Sequence, residues 1–185
     1  MPKDMLAKLM KEMKGLSEGQ VVLIVSKAED NMKINTQILN SLIRKAFGLY
    51  ITVNRPYSSL KEIFKRNGVN IDRIFFIDCI TTTVKGNPKE DERCIYIDSP
   101  SSLTDISISI TEALEAIKGK KFLFMDTLST LLIYNSSGSL AKFSHFLISK
   151  IKLLKLTGIF ISVEDEMDKS LLKQISQFCD KTIRL

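Results

Sequence analysis

What this 185-residue chain lacks narrows its class quickly. No apolar stretch approaches the roughly 20 residues that a membrane-crossing helix needs, so no membrane association is expected. The lysine-punctuated N-terminus, 1–15, lacks the uninterrupted apolar core and small-residue cleavage site of a signal peptide. Cys79, Cys94 and Cys179 are odd in number and share no paired spacing. That argues against a disulfide framework or a zinc motif and points to a reducing cytoplasm. A single histidine, His145, has no serine, cysteine or acid partner assignable by spacing, so a catalytic triad has no support. Concentrated positive charge is missing as well. The net charge of +6 is carried mainly by lysines spread along the whole chain, whereas nucleic-acid readers more often gather Arg and Lys with aromatics on one element. A solvated lysine surface is the expected reading and nucleic-acid binding the lesser one.

What is present is enough apolar material, 44% of residues, for the core of one domain. Residues 1–18, with Met5, Leu9, Met13 and Leu16 at helical spacing, read as a short helix or arm that packs on the domain or docks a partner. Residues 19–185 read as a single domain. Val21–Val25 is an apolar, β-branched run that stops abruptly, and a polar turn then feeds an amphipathic helix expected over 36–47, closed by Gly48. A second strand spans 49–53. Ser59 and Glu62 form a capping-box pattern for the next helix, which stops at Asn67-Gly68. Strands follow at 74–77, 95–97, 122–125, 158–163 and 182–185. A long polar loop is expected over 81–93, and helices over 103–117, from about 139 to 155, and across 171–178. Strands alternating with helices of this length imply right-handed crossovers, and near-continuous apolar strands fit a sheet covered on both sides. The fold class is α/β: a three-layer, mainly parallel β-sheet with helices on both faces.

The order of these segments resembles the core of the KaiC-type, RecA-superfamily ATPases. Val21–Val25 with its turn and helix, followed by 49–56 (Leu-Tyr-Ile-Thr-Val-Asn-Arg-Pro), is similar to the first half of that core. Phe122-Leu-Phe-Met-Asp126 resembles its Walker B strand, 158–164 the strand after it, and Asp180-Lys-Thr-Ile-Arg-Leu its closing strand. The resemblance covers roughly residues 19–185 and implies a P-loop NTPase-type fold, with degenerate archaeal relatives looking closest.

Two departures bear on activity. Laid on the family's phosphate-loop pattern, the positions of both glycines, the lysine and the Ser or Thr are Lys27, Met32, Lys33 and Ile34. Only the lysine survives. A Cβ at both glycine positions obstructs close backbone approach to a phosphate, and Ile34 offers no hydroxyl to magnesium. Glu29 and Asp30 bring negative charge into the loop. The family's catalytic glutamate matches Asn54, and an amide cannot act as a general base.

The residues that could still bind a cofactor are Lys33, Asp126 and Glu164, with Asp126 the metal candidate through its match to the Walker B aspartate. The blander expectations are an exposed Lys33 and an Asp126 retained to hydrogen-bond the 127–129 turn. Asp78 and Asp98, also at carboxyl ends of strands, are read as helix caps or solvated acids before a divalent-cation site. Arg55 is read as a surface residue before a ligand contact. The function these readings favour is a non-catalytic, cytoplasmic regulatory or assembly module that binds a protein partner or forms a homo-oligomer, with no cofactor. The alternative is a nucleotide-binding protein that holds ATP and Mg²⁺ with weak or no hydrolysis.

Overall fold

A computed structural model of the chain describes residues 3–86 and 88–185. In chain order the first half contains α1 (Lys3–Lys14), β1 (Val21–Ser26), α2 (Asn31–Leu42), β2 (Phe47–Thr52), α3 (Tyr57–Arg66), β3 (Ile74–Asp78) and α4 (Thr81–Lys85). The second half contains β4 (Cys94–Tyr96), α5 (Leu103–Ala116), β5 (Lys121–Asp126), α6 (Ser137–Leu153), β6 (Thr157–Val163), α7 (Lys169–Phe178) and β7 (Lys181–Arg184). Short 3-10 turns at Ile71–Arg73 and Ser129–Ile133 precede β3 and follow β5. The seven strands form one sheet in the order β4-β3-β2-β5-β6-β1-β7, and every neighbouring pair is parallel.

Alternation of side chains along the strands divides the core in two. Val21, Leu23 and Val25 of β1 face the layer built by α5, α6 and α7. Val22 and Ile24 face the layer built by α1, α2 and α3. All six residues of β1 are buried, as a central parallel strand requires. Leu9 and Met13 seat α1 in the second layer, and Glu12 is paired with Lys181 at the start of β7.

Several expected local features form differently. The helix after β1 begins at Asn31, five residues before Thr36, leaving a four-residue connection, 27–30, in place of a long polar turn. Gly48 does not close that helix; it lies inside β2, paired with Ile74 and Phe122. The Ser59–Glu62 capping box is absent, because α3 already starts at Tyr57. Its first N–H is taken by Asp78 Oδ2 at 2.7 Å, a cap supplied from the end of β3. Asp78 also accepts from the backbone N–H groups of Ile80 and Thr81, both at 2.9 Å, and so starts the short helix α4 inside the expected loop.

Gly48 leaves room for the ring of its cross-strand partner Phe122. A Cβ built there would lie 2.5 Å from Cζ of Phe122 on the adjacent strand. Gly48→Ala is expected to lower stability by about 1–3 kcal/mol through overpacking. The reading is a lower urea midpoint with an unchanged slope; an unchanged midpoint would mean that the Phe122 ring yields freely.

Candidate functional site

Because all strands are parallel, their carboxyl ends share one edge, the place where open α/β sheets hold ligands. Lys33, Asp126 and Glu164 all lie at that edge, and no hydrogen bond or ion pair joins any two of them. Lys33 is exposed in the first turn of α2, and Glu164 is exposed just beyond β6, where its backbone N–H donates to the Ser26 carbonyl at 2.8 Å. Asp126, at the end of β5, is only 3% exposed. Asp98 and Arg55 are exposed, and His145 is exposed and stands edge-on to Phe178.

The connection between β1 and α2 is a closed turn. The N–H groups of Asp30, Asn31 and Ile34 donate to the carbonyls of Lys27, Ala28 and Asp30 at 3.1, 3.4 and 3.0 Å. Asp30 itself has helical φ/ψ of −93° and −17°. These donors are consumed inside the turn, where an open phosphate loop would leave such groups pointing outward. The Ser26 hydroxyl donates to Asn31 Oδ1 and ties the strand end to the helix start.

Beneath the edge lies a buried polar chain. The Tyr50 hydroxyl donates to the Asp126 carboxylate, and Asn35 Nδ2 donates to the Tyr50 oxygen at 3.1 Å. Asn35 Oδ1 is buried without a partner. Phe64, Phe76 and Phe124 surround the Tyr50 ring at centroid distances of 5.3, 5.7 and 5.0 Å, so the hydroxyl has one direction left in which to find an acceptor. Burial drives the Asp126 carboxyl above the ordinary carboxylate range, although the Tyr50 and Asn35 hydrogen bonds and the Arg55 charge pull it down. Burial, then the Asp126 charge, pushes the Tyr50 hydroxyl well above its usual range.

The expectation that Asp126 would hydrogen-bond the 127–129 turn is not met, because Tyr50 takes the carboxylate from inside the core. Thr127 holds that turn itself: its hydroxyl lies 2.7 Å from Thr130 Oγ1 and 3.3 Å from Ser129 Oγ, and accepts from Asn54 Nδ2 at 3.3 Å. The acid that reaches the turn is Glu166, which accepts from the Ser129 hydroxyl at 2.8 Å. The peptide bond between Asp126 and Thr127 is cis. Tyr50 and Asn35 are the residues that sequence reasoning missed. A tyrosine between Leu49 and Ile51 in a buried strand was the available signal, since a buried hydroxyl must find a partner.

A seven-stranded parallel sheet between two helical layers gives the domain a RecA-like α/β fold. The chain belongs to the family of unknown function DUF7504, which it matches over residues 19–185. It is similar to the crystal structure of the flagellar accessory protein FlaH from Methanocaldococcus jannaschii, with a TM-score of 0.68 and 16% identity over 96% of this chain and 76% of that one. It is also similar to the KaiC-like protein PH0186 from Pyrococcus horikoshii OT3, with a TM-score of 0.65 and 13% identity over 91% of this chain and 71% of that one. No curated protein matches the sequence. At such identities the likeness concerns the fold. Among the described residues no group of three His, Cys, Asp or Glu side chains is placed to hold a metal, and no helix is long and apolar enough to cross a membrane.

The buried chain has a stability signature. A carboxyl whose folded-state pKa lies above its unfolded value binds its proton more tightly in the folded protein. Its contribution is therefore most favourable below the unfolded pKa and declines as pH rises toward the folded one. Urea unfolding across the acid-to-neutral range should show that decline, and Asp126→Asn, which keeps an acceptor for Tyr50 without the charge, should flatten it. Tyr50→Phe, which strands the carboxylate, is expected to cost about 1–3 kcal/mol at neutral pH. A wild-type profile with the same slope as Asp126→Asn would refute the raised carboxyl.

Proposed function

We propose that this chain is a non-catalytic KaiC-like domain, a cytoplasmic regulatory or assembly module that works through contacts with other proteins or with copies of itself. The observation that carries the reading is the Tyr50 hydroxyl on Asp126. A carboxylate that positions magnesium through water has to face the cleft, and this one is held from within the core at 3% exposure. The residues at the edge do not fit Mg·ATP. Within the β1–α2 turn the Asp30 and Asn31 N–H groups are taken by the Lys27 and Ala28 carbonyls, Ile34 is a buried apolar residue where a hydroxyl would be needed, and Asn54 supplies no base.

Exposed apolar side chains support the contact half of the proposal. Ile108 on α5 and Phe146 on α6 are half-exposed, and Phe146 lines a groove between these helices with Leu103 and Phe143. FlaH is described as an accessory protein, and a role of that kind is what we carry to this chain.

Calorimetric titration with Mg·ATP is expected to give no binding heat up to millimolar nucleotide, with no phosphate release. Micromolar binding that disappears in Lys33→Ala would overturn the reading in favour of a nucleotide-binding protein. Light scattering after gel filtration tests the contact half: concentration-dependent growth in mass supports self-association, and a strict monomer at high concentration removes it.

A further inference from the structure

The edge opposite the candidate site carries a second feature. The sheet order places β4, β3, β2, β5 and β6 side by side. Each of these five strands is preceded, within two residues of its start, by a basic side chain: Arg93, Arg73, Lys45, Lys120 and Lys155 in that spatial order. At about 4.8 Å between strands, the row spans roughly 19 Å. Positive charges scattered through the sequence are thus gathered into a line by the topology. We propose that this amino-end edge binds nucleic acid along its sugar–phosphate backbone, independently of the fate of the nucleotide corner.

Helix ends alone do not account for the row. Basic residues often gather at helix carboxyl ends, where they offset the dipole. At α5, however, that work is done by Lys121, whose Nζ donates to the Leu114 and Ile117 carbonyls, both at 2.5 Å. Lys118 and Lys120 beside it point charge at solvent, and Arg73 and Arg93 follow no α-helix end directly. Lys45 and Lys118 make no ion pair among the described residues. The pairs that do form here, Lys120–Glu18 at 2.8 Å and Arg93–Asp72 at 3.6 Å, join exposed side chains, and such pairs exchange readily for other anions.

Mid-row, the Arg73 guanidinium lies 4.5 Å from the ring centre of Phe47, which is 40% exposed. A cation stacked on an accessible aromatic is a platform on which a base can stack. Arg73, Arg93, Phe47 and Lys118 line one cavity of about 230 Å³ on this edge. The competing polyanion is an anionic membrane surface, for which exposed Leu153 and Leu154 beside Lys155 would be the anchor. That pair sits at one end of a line, whereas a flat surface calls for apolar contacts spread over a plane.

Fluorescence anisotropy with a labelled strand of roughly 20 nucleotides, single and duplex, tests the proposal. Binding is expected at about 50 mM salt, with log K falling linearly against log salt. Lys45→Glu with Lys118→Glu should weaken it at least about tenfold and lower the salt slope by about 1 per lysine. A Lys45→Gln, Lys118→Gln pair replaces that variant if charge reversal lowers the urea midpoint. Failure of either probe to bind at low salt overturns the proposal. So does binding lost on Lys27→Glu with Lys33→Glu, at the opposite edge, but kept in the row variant. Phosphatidylserine vesicles bound through Leu153 and Leu154 without nucleic-acid binding would assign the edge to a membrane.

Discussion

Burial of a parallel sheet on both faces governs the display of chemistry in this protein. With α1, α2 and α3 on one side and α5, α6 and α7 on the other, the central strands have no free face on which to present a side chain, and only the edge strand β7 exposes alternate residues, Thr182 and Arg184. Polar function is confined to the two ends of the strands, and the uniform strand direction makes those ends chemically different. The carboxyl ends open into turns that start helices, rich in hydroxyls and acids. The amino ends receive helix carboxyl termini and collect lysine and arginine. Both edges follow from the same constraint, since a right-handed crossover after each strand returns the chain to the same end every time.

At the carboxyl edge two local arrangements are coupled through this packing. The tight 27–30 turn folds back on itself, the Asp30 and Asn31 N–H groups donating to the Lys27 and Ala28 carbonyls. Asp126 faces a different problem. A carboxylate taken out of water is costly unless its lone pairs are met, and the Tyr50 hydroxyl meets one from within the aromatic cluster. Asn35 fixes the tyrosine oxygen from α2, the helix that the short turn positions. The turn, the helix start and the buried acid thus form one connected arrangement. Reopening the turn would shift α2 and remove the amide that steadies Tyr50.

The strands were legible because each is a short apolar run with a polar exit, a pattern set by burial and not by any site residue. Their order placed the fold, and helix–strand alternation placed the layers. What was hidden depended on contacts across the chain. The start of α2 was obscured because Asn31, Lys33, Asn35 and Thr36 are polar, although Asn35 and Thr36 prove buried. The Ser59–Glu62 pattern misled because the cap for α3 comes from Asp78, 21 residues away. Tyr50 read as one more apolar residue of β2; only its hydroxyl distinguished it, and nothing local named Asp126 as its acceptor 76 residues later.

Charge was the least legible property for the same reason. A lysine before one strand and an arginine before another are unrelated in sequence, and their separation argued for a diffuse solvated surface. Strand order reverses that inference. Residues 45, 73, 93, 120 and 155 come together only because β2 and β5, distant in sequence, are neighbours, with β3–β4 and β6 on either side of them. Repulsion among such charges opposes the compact state, by an amount that screening keeps modest at a solvent-exposed edge. The fold tolerates the row because Lys45, Arg93, Lys120 and Lys155 are exposed; only Arg73 is half-buried, its Nε without a hydrogen-bond partner while its guanidinium lies on the Phe47 ring. The carboxyl edge has no such latitude, since its central acid is enclosed and must be matched by a hydroxyl in a fixed place. One end of the sheet is therefore built rigidly around Asp126, and the other is free to carry the exchangeable charge that a polyanion can use.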